Sequence, residues 1–248
     1  MGTAPVDTRY IDRLIEEGLL LRRRWHSDGN ACLLAALSPD VRRTRNVEAC
    51  PATIMPAWLA HLAPWMTDET SPHEWMGIAR RFAGLVRRWH NLDEVAWRRC
   101  EFASRYSILE MANRRVKHKR VHEICETVAD LCRRVAAGAL EPAEREWRAA
   151  QQITADFPFP PFPHEPGKGE ARALRAAIYA VTRSCPKATA RAAREATGTT
   201  LLRPPLSPAR TADVNYDDAF LADEVSDAIL ENIKREISSA ELMLPLDD

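Results

Sequence analysis

Three stretches of this 248-residue chain place chemically able side chains close together. The first is Asp28-Gly29-Asn30-Ala31-Cys32-Leu33-Leu34-Ala35-Ala36-Leu37, a turn that delivers a cysteine to the start of a helix. A helix N-terminus lowers a thiol's pKa and suits a nucleophile, so Cys32 is the one candidate catalytic residue. The second is His118, His122 and Cys125, which project within about 60° of one another on one helix and are candidate metal ligands. His118 and Cys125 lie about 10 Å apart along the axis, so one ion would not readily take all three. A half-exposed histidine pair beside a core cysteine is the expected arrangement, with no metal and no cofactor. The third is the basic run Arg114, Arg115, Lys117, Lys119 and Arg120, preceded by the arginine pairs Arg80-Arg81 and Arg87-Arg88. Clustered cations of this kind neutralise phosphates, or bind an acidic protein or the chain's own acidic end.

The Cys32 stretch resembles the ovarian-tumour class of deubiquitinating cysteine proteases, in which Asp-Gly-Asn-Cys precedes Leu or Phe and then Arg-Ala-Leu. The resemblance covers about ten residues and implies a nucleophilic role for Cys32. Here Ala31 intervenes between Asn30 and Cys32, which rotates the thiol about 100° around a helix and removes the expected oxyanion geometry. The late strand carrying a histidine base is also missing, the last histidine being His164. The alternative is a buried thiol packed beside Leu33, Leu34 and Leu37. No phosphate loop, dinucleotide fingerprint or Gly-x-Ser-x-Gly elbow occurs.

The elements that must position these groups read as helices. Ala, Leu, Arg and Glu dominate, only 9 glycines occur, and β-branched runs are few, which leaves little material for a sheet. A first helix runs from Asp7 or Thr8 to about Arg24, with Ile11, Leu14, Ile15 and Leu19 facing inward. Ala31 to Leu37 forms a short buried helix, Ser38-Pro39 starts another, and Cys50-Pro51 and Met55-Pro56 open two more. Ser71-Pro72-His73-Glu74 is a capping box before a helix whose stripe is Trp75, Ile78, Phe82, Leu85, Val86 and Trp89. The helix from about Asp93 to Ala112 is apolar on two faces, including Val95 and Trp97, and belongs at the centre. Helices from about Lys117 to Ala137 and from Pro142 complete a main body over 1–156.

Residues 157–168 form a proline-rich strap or linker, followed by a helical C-terminal region over 169–248. That region holds two alanine-rich helices, a proline-containing loop at 198–213 and an acidic last helix. The last helix repeats Leu221, Val225, Ile229, Ile233 and Ile237, so one face requires a partner surface. The fold class expected is all-α.

Net charge is zero but unevenly spread. Leu20 to Arg120 holds 18 Lys and Arg against 10 Asp and Glu, while Thr211 to Asp248 holds 2 against 11. Either the acidic end folds over the basic body or the two ends meet different partners. No apolar run reaches the roughly 20 residues that span a bilayer, and the N-terminal residues lack a signal pattern, so no membrane partner is expected. Cys32, Cys50, Cys100, Cys125, Cys132 and Cys185 lack disulfide-framework or metal-knuckle spacing and are read as reduced thiols in cytoplasm.

Cys32-Leu33-Leu34-Ala35-Ala36-Leu37, Cys50-Pro51-Ala52, Met55-Pro56-x-Trp58-Leu59-Ala60 and Arg88-Trp89-His90 resemble a loosely defined group of uncharacterised bacterial and phage proteins. This covers about a third of the chain and implies no reaction, only a phage or mobile-element origin. The leading expectation is a non-enzymatic helical protein-binding module, an inhibitor or modulator of a host protein complex. The competitors are a cysteine hydrolase using Cys32 and a nucleic-acid-binding protein using the Arg114 to Arg120 cluster.

Overall fold

A computed structural model describes residues 6–27, 29–138, 141–157, 168–183, 185–198 and 216–243, with the side chains of 168 and 216–219 left aside. Asp28 of the turn before Cys32, the strap from 158, and most of the 198–213 loop lie outside the described residues. The protein is mostly helical, as the composition requires.

The N-terminal part departs most from a purely helical reading. Helix α1 spans Arg9–Glu16 and stops eight residues before Arg24. Gly18, at φ 68°, takes the left-handed turn that ends it, and the Leu19 amide donates back to the Leu14 carbonyl at 2.8 Å. The chain then forms β1 (Leu20–Leu21), β2 (His26–Ser27) and β3 (Asn30–Cys32), a small sheet of order β1-β3-β2. β1 runs parallel to β3 and β2 antiparallel to it. Asn30–Cys32 is therefore strand rather than the first turn of a helix, because Gly29 (φ 81°) folds this segment back as a hairpin. Strands this short leave no alternation in the sequence.

Helix α2 (Leu33–Leu37) is buried throughout. Ser38 then caps α3 (Pro39–Thr44), its hydroxyl accepting from the Val41 amide at 3.3 Å. Cys50-Pro51 opens a single turn closed by the Ile54 amide on the Pro51 carbonyl, not a helix. It follows a short 3-10 turn, Val47–Ala49.

Helix α4 (Ala57–Asp68) buries Trp58, Leu59, Leu62 and Trp65, and α5 (Trp75–Val86) buries Ile78, Phe82, Leu85 and Val86 of its expected stripe, with Trp75 half-buried. The capping box before α5 is only half formed. The Ser71 hydroxyl accepts from the Glu74 amide at 3.2 Å, but the Ser71 amide donates to Asp223 at 2.8 Å instead of to Glu74. Trp89 follows in a 3-10 turn and meets Phe82 and Trp97 edge-on at 5.5 and 5.4 Å.

The remaining helices are α6 (Glu94–Asn113), α7 (Lys119–Ala136), α8 (Glu144–Asp156), α9 (Lys168–Ala180), α10 (Ala188–Thr197) and α11 (Tyr216–Leu242). Helix α6 is central, touching α7, α9, α10 and α11. Val95 is 56% exposed and Leu19 38% exposed, so neither joins the core face assigned to it. Val95 lies in the first turn of α6, and Leu19 follows the Gly18 turn, which leaves both at the rim. Leu221, Val225, Ile229, Ile233 and Ile237 are all buried, and the surface α11 covers is the chain's own α5 and α6.

Arg105, in mid-α6, is fully buried. Its guanidinium donates to the carbonyls of Ala180 and Thr182 at 3.0 Å, to the Thr189 hydroxyl at 2.9 Å and to Glu101 at 2.5 Å. One side chain thereby closes the C-terminal end of α9 and the start of α10 onto α6.

Candidate functional site

Two helices and one arm enclose a cavity of about 500 Å³. From α4 come His61, Pro64 and Asp68, spaced three and four residues apart and so on one face. Pro64 lacks the amide that would bond the Ala60 carbonyl, loosening the helix at this face. From α10 and its cap come Lys187, Ala190, Arg191 and Arg194, again a single stripe. Arg23, Arg24 and Trp25 of the arm between β1 and β2 lie across the two helices, with Cys32 and Val47 completing the lining.

The arm is fixed by the end of α4. Arg22 donates to the Thr67 carbonyl at 2.8 Å, to that of Asp68 at 3.1 Å and to that of Thr70, satisfying carbonyls that have no helical partner. The Arg23 amide donates to Asp68 Oδ1 at 2.7 Å. Arg23 holds φ 60°, a left-handed conformation unusual for a side-chain-bearing residue, and Asp68 anchors it there.

Charge in the cavity is lopsided. Five Arg and Lys side chains and His61 face one carboxylate, Asp68. Lys187 is bonded to Glu48 at 2.6 Å, and Arg23 approaches Glu69 at 4.0 Å. Among the described residues Arg24, Arg191 and Arg194 form no ion pair; Arg191 lies 5.5 Å above the Tyr179 ring. Desolvation lowers the Arg194 pKa, while Glu69 and Asp68 oppose this at longer range. Burial raises the Asp68 carboxyl to about 6, outweighing the Arg23 amide that stabilises its charge. Desolvation, then Lys187, lowers the His61 pKa, so the imidazole favours its neutral form.

Cys32 caps α2 and is 5% exposed. Burial pushes its thiol up to about 11, more than the Ala35 and Leu34 amides pull it down, so the helix start does not yield a thiolate at neutral pH. The cavity does contain a histidine, His61, carried by α4 rather than by a late strand. Among the described residues no hydrogen bond joins Cys32, His61 and Asp68.

The His118, His122 and Cys125 set does not assemble. His118 caps α7, His122 pairs with Glu126 at 3.1 Å, and Cys125 is fully buried with its thiol pushed up to about 12. Among the described residues no three His, Cys, Asp or Glu side chains group to hold a metal ion.

The nine basic residues singled out in the sequence divide. Arg81 pairs with Asp227, Arg88 with Glu241 at 2.5 Å and Arg114 with Glu224 at 4.0 Å, all on α11, and Arg87 pairs with Asp12. Lys119 reaches Glu123 at 3.9 Å on its own helix, while Arg80, Arg115, Lys117 and Arg120 have exposed side chains. The basic body and acidic end thus meet within one chain.

No family model, curated protein or solved structure matches the chain. Among the described residues no helix is long and apolar enough to cross a membrane.

Proposed function

We propose that the protein is a non-enzymatic binding protein whose ligand is a small polyanion, held in the cavity between α4 and α10. One observation carries this reading: Arg24, Arg191 and Arg194 converge on one cavity and form no ion pair among the described residues, whereas Arg81, Arg88 and Arg114 are paired with acidic residues of α11. The volume lies within the roughly 300–1,000 Å³ common for small-molecule sites. Guanidinium groups are suited to bidentate contacts with phosphate oxygens. The six free thiols accord with a reducing, cytoplasmic setting. Charge asymmetry, one argument for a host protein partner, is met in part within the chain, where Arg81, Arg88 and Arg114 pair with α11.

The test is thermal melting with inorganic tripolyphosphate at constant ionic strength. We expect the midpoint to rise with tripolyphosphate, and the rise to vanish in the Arg24→Ala/Arg191→Ala variant, whose ligand-free midpoint is no lower than that of the unaltered protein. No rise, or one the variant retains, overturns the proposal.

The presence of Cys32 and His61 in the same cavity favours a thiol hydrolase as second reading. It requires Cys32 to alkylate at neutral pH much faster than Cys50, whose thiol burial also raises to about 11; equal, slow labelling rules it out.

A further inference from the structure

The cavity holds more than cations. Trp25 lines it beside Arg24, is only partly buried, and has no aromatic partner among the described residues. Trp58, Trp89, Trp97 and Trp147 all pack edge-on against other rings. The backbone beneath Trp25 is fixed, since its carbonyl accepts from the Cys32 amide at 2.9 Å while Arg22 and Arg23 bind the end of α4. An indole on a short arm with a fixed backbone, in the same lining as Lys187, Arg191 and Arg194, offers a planar apolar surface beside a charged one. Aromatic faces stack on nucleobases with little regard to base identity, and arginines bind the attached phosphates.

We infer that the ligand is a nucleoside polyphosphate, its phosphates against Lys187, Arg191 and Arg194 and its base against Trp25. This rests on the reading of the cavity as an anion site and adds a requirement for the ring. Arg24, Arg191 and Arg194, three lining cations that form no ion pair among the described residues, favour a chain of phosphates over a single one. Asp68, at the end of α4 beneath the arm, supplies an acceptor that a bare polyphosphate cannot use and a base with ring or amino N–H groups can.

The experiment compares ATP and inorganic tripolyphosphate by calorimetry without divalent metal, using the full chain and its Trp25→Leu variant. ATP is expected to bind roughly tenfold or more tighter than tripolyphosphate, the gain typical of one stacked base. Trp25→Leu should remove most of the ATP preference, leaving what the Asp68 acceptor contributes, and leave tripolyphosphate binding unchanged. Should the arm fold differently in that variant, Trp25→Phe, which keeps a ring, must restore most of the preference. Equal binding of the two ligands by the unaltered protein overturns the nucleotide inference and leaves the anion site standing. Binding of neither removes both.

Discussion

The α5–α6–α11 side of the molecule and the α4–α10 cleft both collect arginines, yet treat them oppositely. On the first, Arg81, Arg88 and Arg114 meet Asp227, Glu241 and Glu224 across the packed helix α11. In the cleft, Arg194 is substantially desolvated and still lacks a carboxylate in contact, and the one carboxylate of the lining is itself pushed up to about 6. Charges matched by internal partners secure a fold. Charges left unmatched in a concavity cost stability, and that cost is offset when a ligand arrives.

The largest test of this comparison is Arg105, the buried extreme of the matched kind. Arg105→Met removes hydrogen bonds to Ala180, Thr182 and Thr189 and leaves Glu101 with the Thr189 hydroxyl in place of a cation, so we expect stability to urea to fall by about 3–5 kcal/mol. A loss below about 1 kcal/mol would mean that the C-terminal helices are held on α6 by apolar packing alone.

Opposite in sign is Asp68. Its carboxyl rises from 3.8 to about 6 on folding, so the folded chain holds this proton more tightly than the unfolded one. Below about pH 4 the group is protonated in both states and costs nothing. Stability falls as pH climbs from about 4 to 6, and the full penalty applies above that. Asp68→Asn keeps an acceptor for the Arg23 amide without the charge. It should therefore stabilise by about 1–3 kcal/mol at pH 7.5 and leave stability nearly unchanged at about pH 3, read from denaturant midpoints at both values. An equal effect at the two pH values would show that Asp68 carries no such burden.

How far the sequence carried this contrast depends on the kind of signal. Regular apolar spacing is visible along a chain, and the stripes of α5 and α11 stand where the periodicity puts them, down to the burial of Leu221, Val225, Ile229, Ile233 and Ile237. The β1-β3-β2 sheet was illegible because two- and three-residue strands have no period, and its formation depends on Gly18 and Gly29 turning the chain. Cys32 drew attention through its neighbours in sequence, but its burial is set by distant packing. The cleft left a legible but unused trace: Lys187, Arg191 and Arg194 recur at helical spacing in a segment otherwise read as alanine-rich. That His61 and Asp68 face them across α4 and α10 is a long-range fact that no local pattern encodes. Arg105 was hidden for the same reason, an arginine among apolar residues whose acceptors lie about 75 to 84 residues further on.

The smallest expected effect bears on the matched side itself. Arg81 and Asp227 are each about half exposed, at 43% and 53%, so solvent screens their attraction and the ordering of two long side chains opposes it. A double-mutant cycle of Arg81→Ala and Asp227→Ala should give a coupling below about 1 kcal/mol that shrinks further in high salt. The α11 pairs would then act mainly as register marks, choosing which turn of α11 lies beside α5 while Val225, Ile229 and Ile233 supply the adhesion. A coupling well above that value would instead make the ion pairs a principal fastening of α11, and removing the acidic helix's charges would then be expected to release it from the body.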